Sequence, residues 1–174
     1  MAKLRKFCAY RRLERPYSRI SKFRERSFIR ITPNSRIVKY NSGENNKVFP
    51  FTVSLISKRN LNIRDNALES ARQTSNRYLE KQIGQVGFSF SLRPYPHHIL
   101  RENPLAAGAG ADRMSTGMKH SFGKPIGIAA RVKEGQIIMT VDTDKNNVLH
   151  AKNALKRAAS KLPCSCSILV SEKK

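Results

Sequence analysis

The sequence predicts an α+β fold: a two-helix sandwich on a mixed or antiparallel sheet, carrying a basic N-terminal arm and a long Gly-rich loop. Three observations predict it. Strand-like and helix-like segments follow one another as β-β-α-β-β, a long loop, and β-β-α-β, which makes two similar halves with one helix each. Hydrophobic residues are 39% of the chain, enough for a real core. The cations, by contrast, crowd into the first fifth, where no helical or strand period organises them.

The elements are justified in order. Ile37-Val-Lys-Tyr40 reads as a short strand, Gly43-Glu-Asn-Asn46 as a turn, and Val48 to Ile56 as a longer strand rich in β-branched and aromatic residues. Pro50 inside that run argues for an edge or a bulge. A helix follows, with Asn66 and Glu69 at capping-box spacing and Leu68, Ala71, Ser75, Tyr78, Leu79 and Ile83 along one face; Gly84 and Gly87 stop it. Phe88 to Leu92 alternates apolar and polar, and His98 to Arg101 is a further extended piece beyond Pro94 and Pro96. Residues 102–124 are poor in core formers and carry four glycines, the composition of a functional connection. Ile126 to Val132, a Glu134-Gly135 turn and Gln136 to Val141 read as a hairpin. A second helix from near Asp144 carries Val148, Ala151, Leu155, Ala158 and Leu162 on its stripe, Pro163 ends it, and Ser165 to Val170 supplies the closing strand.

At 174 residues the chain suits one domain with an extension: residues 1–35 as the arm, 36–170 as a single α+β domain with 102–124 as its flexible loop. Lys and Arg number 34 against 12 acids, a formal charge of +22, so a polyanion is the natural partner. Residues 1–36 hold twelve of the cations against Glu14 and Glu25 alone, and Phe7, Tyr10, Tyr17, Phe23 and Phe28 are interleaved with them. Arginines among aromatics suit RNA, because guanidinium groups fork onto phosphates and stack on exposed bases. Neither helix is rich in the polar base-reading side chains that duplex DNA would call for, which ranks an architectural DNA-binding protein below an RNA-binding one.

No run approaches the roughly 20 apolar residues of a membrane span, and the first eight residues lack the apolar run of a signal peptide, so a soluble cytoplasmic protein without a membrane partner is expected. Enzymatic patterns fail one by one, and an enzyme acting on RNA ranks lower for that reason. Gly117 to Gly123-Lys124 has five residues between its glycines where a phosphate loop has four, and Pro125 stands where Ser or Thr would hold magnesium. Gly108-Ala-Gly110 lacks the third glycine of a dinucleotide loop. His97 and His98 point to opposite faces of a strand, while His120 and His150 form no ligand spacing with them. Cys164-Ser-Cys166 has neither zinc-knuckle reach nor a second pair, and reads as small buried residues on a strand; Cys8 stands alone. No catalytic residue, metal, cofactor or small-molecule substrate is expected.

The loop and its surroundings carry a resemblance. Leu100-Arg-Glu-Asn-Pro-Leu-Ala-Ala-Gly-Ala-Gly-Ala-Asp-Arg113, Gly117-Met-Lys119, Phe122-Gly-Lys-Pro125 and Ala129-Ala-Arg-Val132 resemble the archaeal and eukaryotic branch of the large-ribosomal-subunit protein family L-sixteen, also called L-ten-e. Asn66 to Arg72 with Asn76 to Glu80 is similar to the family's first helix, and Ala154 to Cys164 to its second. Arg15-Pro-Tyr-Ser-Arg19 is similar to a stretch of the family's arm, and the whole resemblance covers about residues 35–170.

The resemblance implies an α+β fold, binding to large-subunit ribosomal RNA, neighbouring ribosomal proteins, and a loop beside the aminoacyl-site tRNA near the peptidyl-transferase centre. The cations expected against ribosomal RNA are Arg11, Arg12, Arg15, Arg19, Lys22, Arg24, Arg64, Arg101, Arg113, Lys119, Lys124 and Arg131. The tRNA-proximal segment is Ala106, Ala107, Gly108, Ala109, Gly110, Ala111 and Asp112, where small residues permit close backbone approach.

Overall fold

Alternating apolar residues generate the main sheet. In a computed structural model of the chain, which describes residues 5–18, 20–29, 31–102 and 123–173, the strands are β1 (Asn41–Gly43), β2 (Phe51–Ser57), β3 (Leu61–Arg64), β4 (Phe88–Leu92), β5 (His98–Glu102), β6 (Lys124–Val132), β7 (Ile137–Thr143) and β8 (Cys166–Glu172). The helices are α1 (Asp65–Ile83) and α2 (Val148–Ala159). Five strands form one sheet in the order β1-β4-β7-β2-β8 and three form another in the order β3-β6-β5, and every recorded pairing is antiparallel.

Register stacks the apolar residues into rows: Phe90, Val141, Val53 and Val170 lie side by side across four strands, and Leu92, Met139, Leu55 and Ile168 form the next row. Leu68, Ala71 and Leu79 of α1 and Ala151, Ala154, Leu155 and Ala158 of α2 are buried in the same core. Both apolar stripes therefore lie where the 3.6-residue period puts them. Gly84 ends α1 at φ 80°, its N–H donating to the Glu80 carbonyl at 3.1 Å, a left-handed exit that side chains resist. No helix among the described residues is long and apolar enough to cross a membrane.

Several elements differ from expectation, each for a physical reason. The first strand sits at Asn41–Gly43, because Ile37 is used as an irregular core plug. Pro50 falls one residue before β2, where no ladder donor is needed, so β2 lies inside the sheet between β7 and β8 and is not an edge. The expected hairpin does not form. The turn is real, with Gly135 at φ 77° and Gln136 N–H on the Lys133 carbonyl at 3.2 Å, but β6 continues into the small sheet and β7 into the large one. The turn is held by Ser57, whose carbonyl accepts from Gly135 at 2.9 Å and whose N–H donates to Gln136 at 3.0 Å. The capping box is also absent: α1 starts one residue early at Asp65, and Glu69 turns to the Arg72 guanidinium at 2.6 and 2.9 Å. The second helix begins as a 3-10 turn at Lys145–Asn147 before Val148.

Candidate nucleic-acid interface

The small sheet has two faces with different chemistry. Leu61, Ile63, Ala130 and Val132 enter the main core. Register sets Asn62 beside Arg131, and Arg64 and His98 on either side of Ala129, so the polar and charged residues share the opposite face.

The arm closes on this sheet at both edges. Along β3, the Asn62 backbone N–H donates to the Arg11 carbonyl at 3.2 Å, and its side-chain amide donates to the carbonyls of Tyr10 at 3.2 Å and Arg12 at 2.6 Å. Along β5, Ile99 N–H donates to the Tyr17 carbonyl at 3.1 Å and Tyr17 N–H donates to His98 Nδ1 at 3.0 Å. Edge groups that would otherwise pair with a foreign strand are thereby used. Tyr17, Ile29, Ile99 and Ile128 form a small apolar cluster that fixes the arm beyond this point. A polar cavity of about 170 Å³ remains between arm and sheet, lined in part by Tyr10, Arg12, Glu14, Asn62, His98 and Arg101.

Cations stack on the arm's tyrosines. The Arg64 guanidinium lies 5.6 Å from the Tyr10 ring centre and that of Arg101 lies 3.9 Å from Tyr17. Stacking uses the flat face of the guanidinium, and Arg64 Nη1 also donates to the Arg5 carbonyl at 3.3 Å. The half-buried Arg131 keeps Nε buried with no acceptor among the described residues. His98 is buried, and burial, followed by the nearby Arg131 and Arg101 charges, pushes its pKa below the ordinary value. A neutral ring is what the site requires, because Nδ1 must accept from Tyr17.

The arm also reaches the foot of the Gly-rich loop. Glu102 ends β5 opposite Lys124 at the start of β6, ion-pairs with Arg5, and accepts from the Tyr10 hydroxyl at 3.3 Å. Burial, then the Glu102 charge, raises the Tyr10 pKa.

Of the cations expected to face RNA, Arg11, Arg12, Arg64, Arg101 and Arg131 come together around the small sheet, with Lys124 at its loop end. Arg15, Lys22 and Arg24 are exposed along the arm. Arg19, Arg113, Lys119 and the whole segment Ala106, Ala107, Gly108, Ala109, Gly110, Ala111 and Asp112 lie outside the described residues. Sequence reasoning missed the roles of Asn62 and His98 as seats for the arm, and it missed an aromatic ledge. Tyr95 stacks on Tyr40 at 5.4 Å and 20°, His97 lies against Tyr95 at 4.5 Å, and Tyr95 is 51% exposed. The signal was Tyr95 and His97 alternating with Pro94 and Pro96, which stiffens an extended run. A second basic surface runs along α2 through Lys152, Lys156, Arg157 and Lys161, with Arg157 over the Tyr78 ring at 4.2 Å.

Comparison with known proteins fixes the class as a structural ribosomal protein rather than an enzyme, since the profile of the ribosomal protein L16p/L10e family matches residues 15–169. A protein of Methanococcus aeolicus named large ribosomal subunit protein uL16 is 45% identical over 168 residues, covering 96% of this chain and 94% of its own length. Proteins of the same name from Archaeoglobus fulgidus (44% over 161 residues, 92% and 89% covered) and Thermofilum pendens (45% over 157, 90% of each) are similar to it as well. The chain belongs to the ribosomal protein L16p/L10e family, a constituent of the large ribosomal subunit.

Proposed function

We propose that this protein binds large-subunit ribosomal RNA through the arm and the polar face of its small sheet, and that the loop spanning residues 102–124 supports the positioning of aminoacyl-site tRNA near the peptidyl-transferase centre. The observation that carries the reading is the placement of Arg64, Arg101 and Arg131 on the small sheet, two of them stacked on tyrosines, with Arg11 and Arg12 of the arm along its β3 edge. Such a surface offers planar donors to phosphates and rings to bases, which is how folded RNA is gripped. Residues 1–35 then act as an anchoring extension and 36–170 as the RNA-binding domain that presents the loop.

The tRNA part rests on two supports: the loop's resemblance to the family, and the pairing of its two roots, Glu102 and Lys124, at the end of the basic sheet. The RNA carries the chemistry of peptide transfer, and the protein supplies position. The test is charge reversal of Arg11, Arg12 and Arg15 together, followed by quantitative mass spectrometry of purified large subunits. The variant is expected to be strongly depleted from the subunits. Normal stoichiometry after a moderate-salt wash would overturn the anchoring role.

A further inference from the structure

The two cysteines of the Cys164-Ser-Cys166 stretch are closer than a strand alone would bring them. Residues two apart on an extended strand are separated by about 6.6 Å. Here the chain leaves α2, buries Leu162 as a plug, and bends through Pro163 and Cys164 before β8 begins at Cys166. The bend brings Cys164 Sγ to 3.6 Å from Cys166 Sγ. Both thiols are half-exposed at the rim of the main core, and neither is bonded to another cysteine. The expectation of plain buried residues on a strand holds only in part, since Cys164 precedes the strand and both side chains are only partly buried.

Their surroundings differentiate them. Ser57 Oγ lies 3.9 Å from Cys164 Sγ, and Ser57 is the register partner of Cys166 on β2. The Cys166 thiol, set against Cys164, holds the Cys164 pKa down to about 7, and the same contact pushes that of Cys166 up. One sulfur is thus the nucleophile at neutral pH while its neighbour keeps a proton. The backbone around them is fixed independently, with Lys58 N–H on the Ser165 carbonyl at 3.1 Å and the β2–β8 ladder running to Glu172.

We infer that Cys164 and Cys166 form a reversible dithiol–disulfide site, in which a peroxide oxidises Cys164 and Cys166 resolves it within the same chain. In the first step the Cys164 thiolate attacks the peroxide O–O bond; an S–O bond forms, the departing hydroxide takes a proton to become water, and Cys164 becomes a sulfenic acid. In the second, the Cys166 sulfur attacks the Cys164 sulfur, the S–O bond breaks, and the hydroxyl leaves as water with the Cys166 proton. Two thiols and one peroxide give one disulfide and two waters. A thiol reductant reverses it.

The magnitude follows from ionisation. Against the ordinary thiol value of 9.0, a pKa of about 7 raises the thiolate fraction at pH 7 by about fiftyfold, and the weaker intrinsic nucleophilicity of the less basic sulfur takes back about eightfold, leaving about sixfold. The test uses the full-length protein at pH 7 with hydrogen peroxide, folded and in urea, followed by alkylation and mass spectrometry of the tryptic peptide Leu162 to Lys173. The expected product is a peptide two hydrogens lighter that takes up no alkylating reagent until reduced, formed about sixfold faster folded than in urea. In Cys166→Ala, which also removes the contact that lowers the Cys164 pKa, Cys164 should be oxidised more slowly and stop at a sulfenic acid captured by dimedone. Exposed Cys8 is the internal control for oxidant dose. Full double alkylation of the peptide at a dose that oxidises Cys8, over-oxidation to sulfinic acid in place of the disulfide, or equal rates in urea would each overturn the proposal.

Discussion

Tyr17 of the arm donates its backbone N–H to Nδ1 of His98 at 3.0 Å, so a buried imidazole on β5 seats one end of an irregular basic segment. The bond exists only while Nδ1 carries a lone pair. Burial and the Arg131 and Arg101 charges depress the His98 pKa, so the unfolded or arm-released state takes up the proton first. The stabilisation is therefore complete above the free value of about 6.5 and is lost as pH falls through the depressed one. Hydrogen exchange at the Tyr17 and Ile99 amides is expected to accelerate as pH drops below the free value of 6.5, after correction for intrinsic rates. His98→Asn, which keeps an acceptor without a titration, should flatten that dependence.

Asn62 holds the other end of the arm. Its amide satisfies two arm carbonyls, those of Tyr10 and Arg12. Asn62→Ala removes both bonds and is expected to cost about 1–3 kcal/mol of arm seating. Limited trypsinolysis after Arg11 and Arg12 should accelerate correspondingly, while the urea midpoint of the remaining domain moves little. Equal cleavage rates would refute the seating.

Glu69 is the acidic hub of α1. It accepts from Arg72, from Gln73 at 2.9 Å and from the Val38 N–H at 3.4 Å, and the guanidinium of Arg72, a residue only 9% exposed, foremost holds its pKa below the ordinary value. A depressed carboxylate stabilises above its unfolded value and loses that contribution as pH falls through the folded one. Glu69→Ala strands a buried guanidinium and should cost about 3 kcal/mol in denaturant melts at pH 7. Glu69→Gln should lose part of the acid sensitivity below about pH 4.5 along with some stability.

These predictions also mark what the sequence could carry. The helices were legible because Leu68, Ala71, Ser75 and Leu79 repeat at helical spacing and all become buried. β3 was not, because its four residues alternate two core side chains with Asn62 and Arg64, whose partners are arm residues about fifty positions away. The β6–β7 hairpin was misjudged because turn residues set the local reversal, whereas Ser57 and the two sheets decide where each strand pairs. The cations of the site were visible as composition. Their gathering around the small sheet was not, since it depends on register between β3, β5 and β6.

Salt dependence tests the interface as a whole. If the arm and sheet neutralise 6–10 phosphates, affinity for large-subunit ribosomal RNA should fall by about three to five decades between 50 and 200 mM salt. Replacing Arg64 and Arg131 by Gln should lower the slope of log K against log salt by somewhat less than one unit per lost phosphate contact. Filter binding across a salt series measures both, and an unchanged slope would remove these two residues from the phosphate-facing set.

The loop offers the sharpest separation of fold from function. Its roots are tied to one another and to the arm: Glu102 and Lys124 are register partners, Glu102 is held by Arg5 and Tyr10, and Ile99 and Ile128 pack just behind them. Ala106 to Asp112 are small residues and one acid, and shortening a connection of this length changes closure entropy by well under about 1 kcal/mol. The truncated protein is therefore expected to melt within a few degrees of the parent and to enter large subunits at normal stoichiometry. Reconstituted ribosomes carrying it should accommodate aminoacyl-tRNA more slowly, seen in rapid-mixing measurements of accommodation and dipeptide formation. Unchanged kinetics with normal incorporation would show that the segment does not act on tRNA, while failed incorporation would assign it to assembly instead.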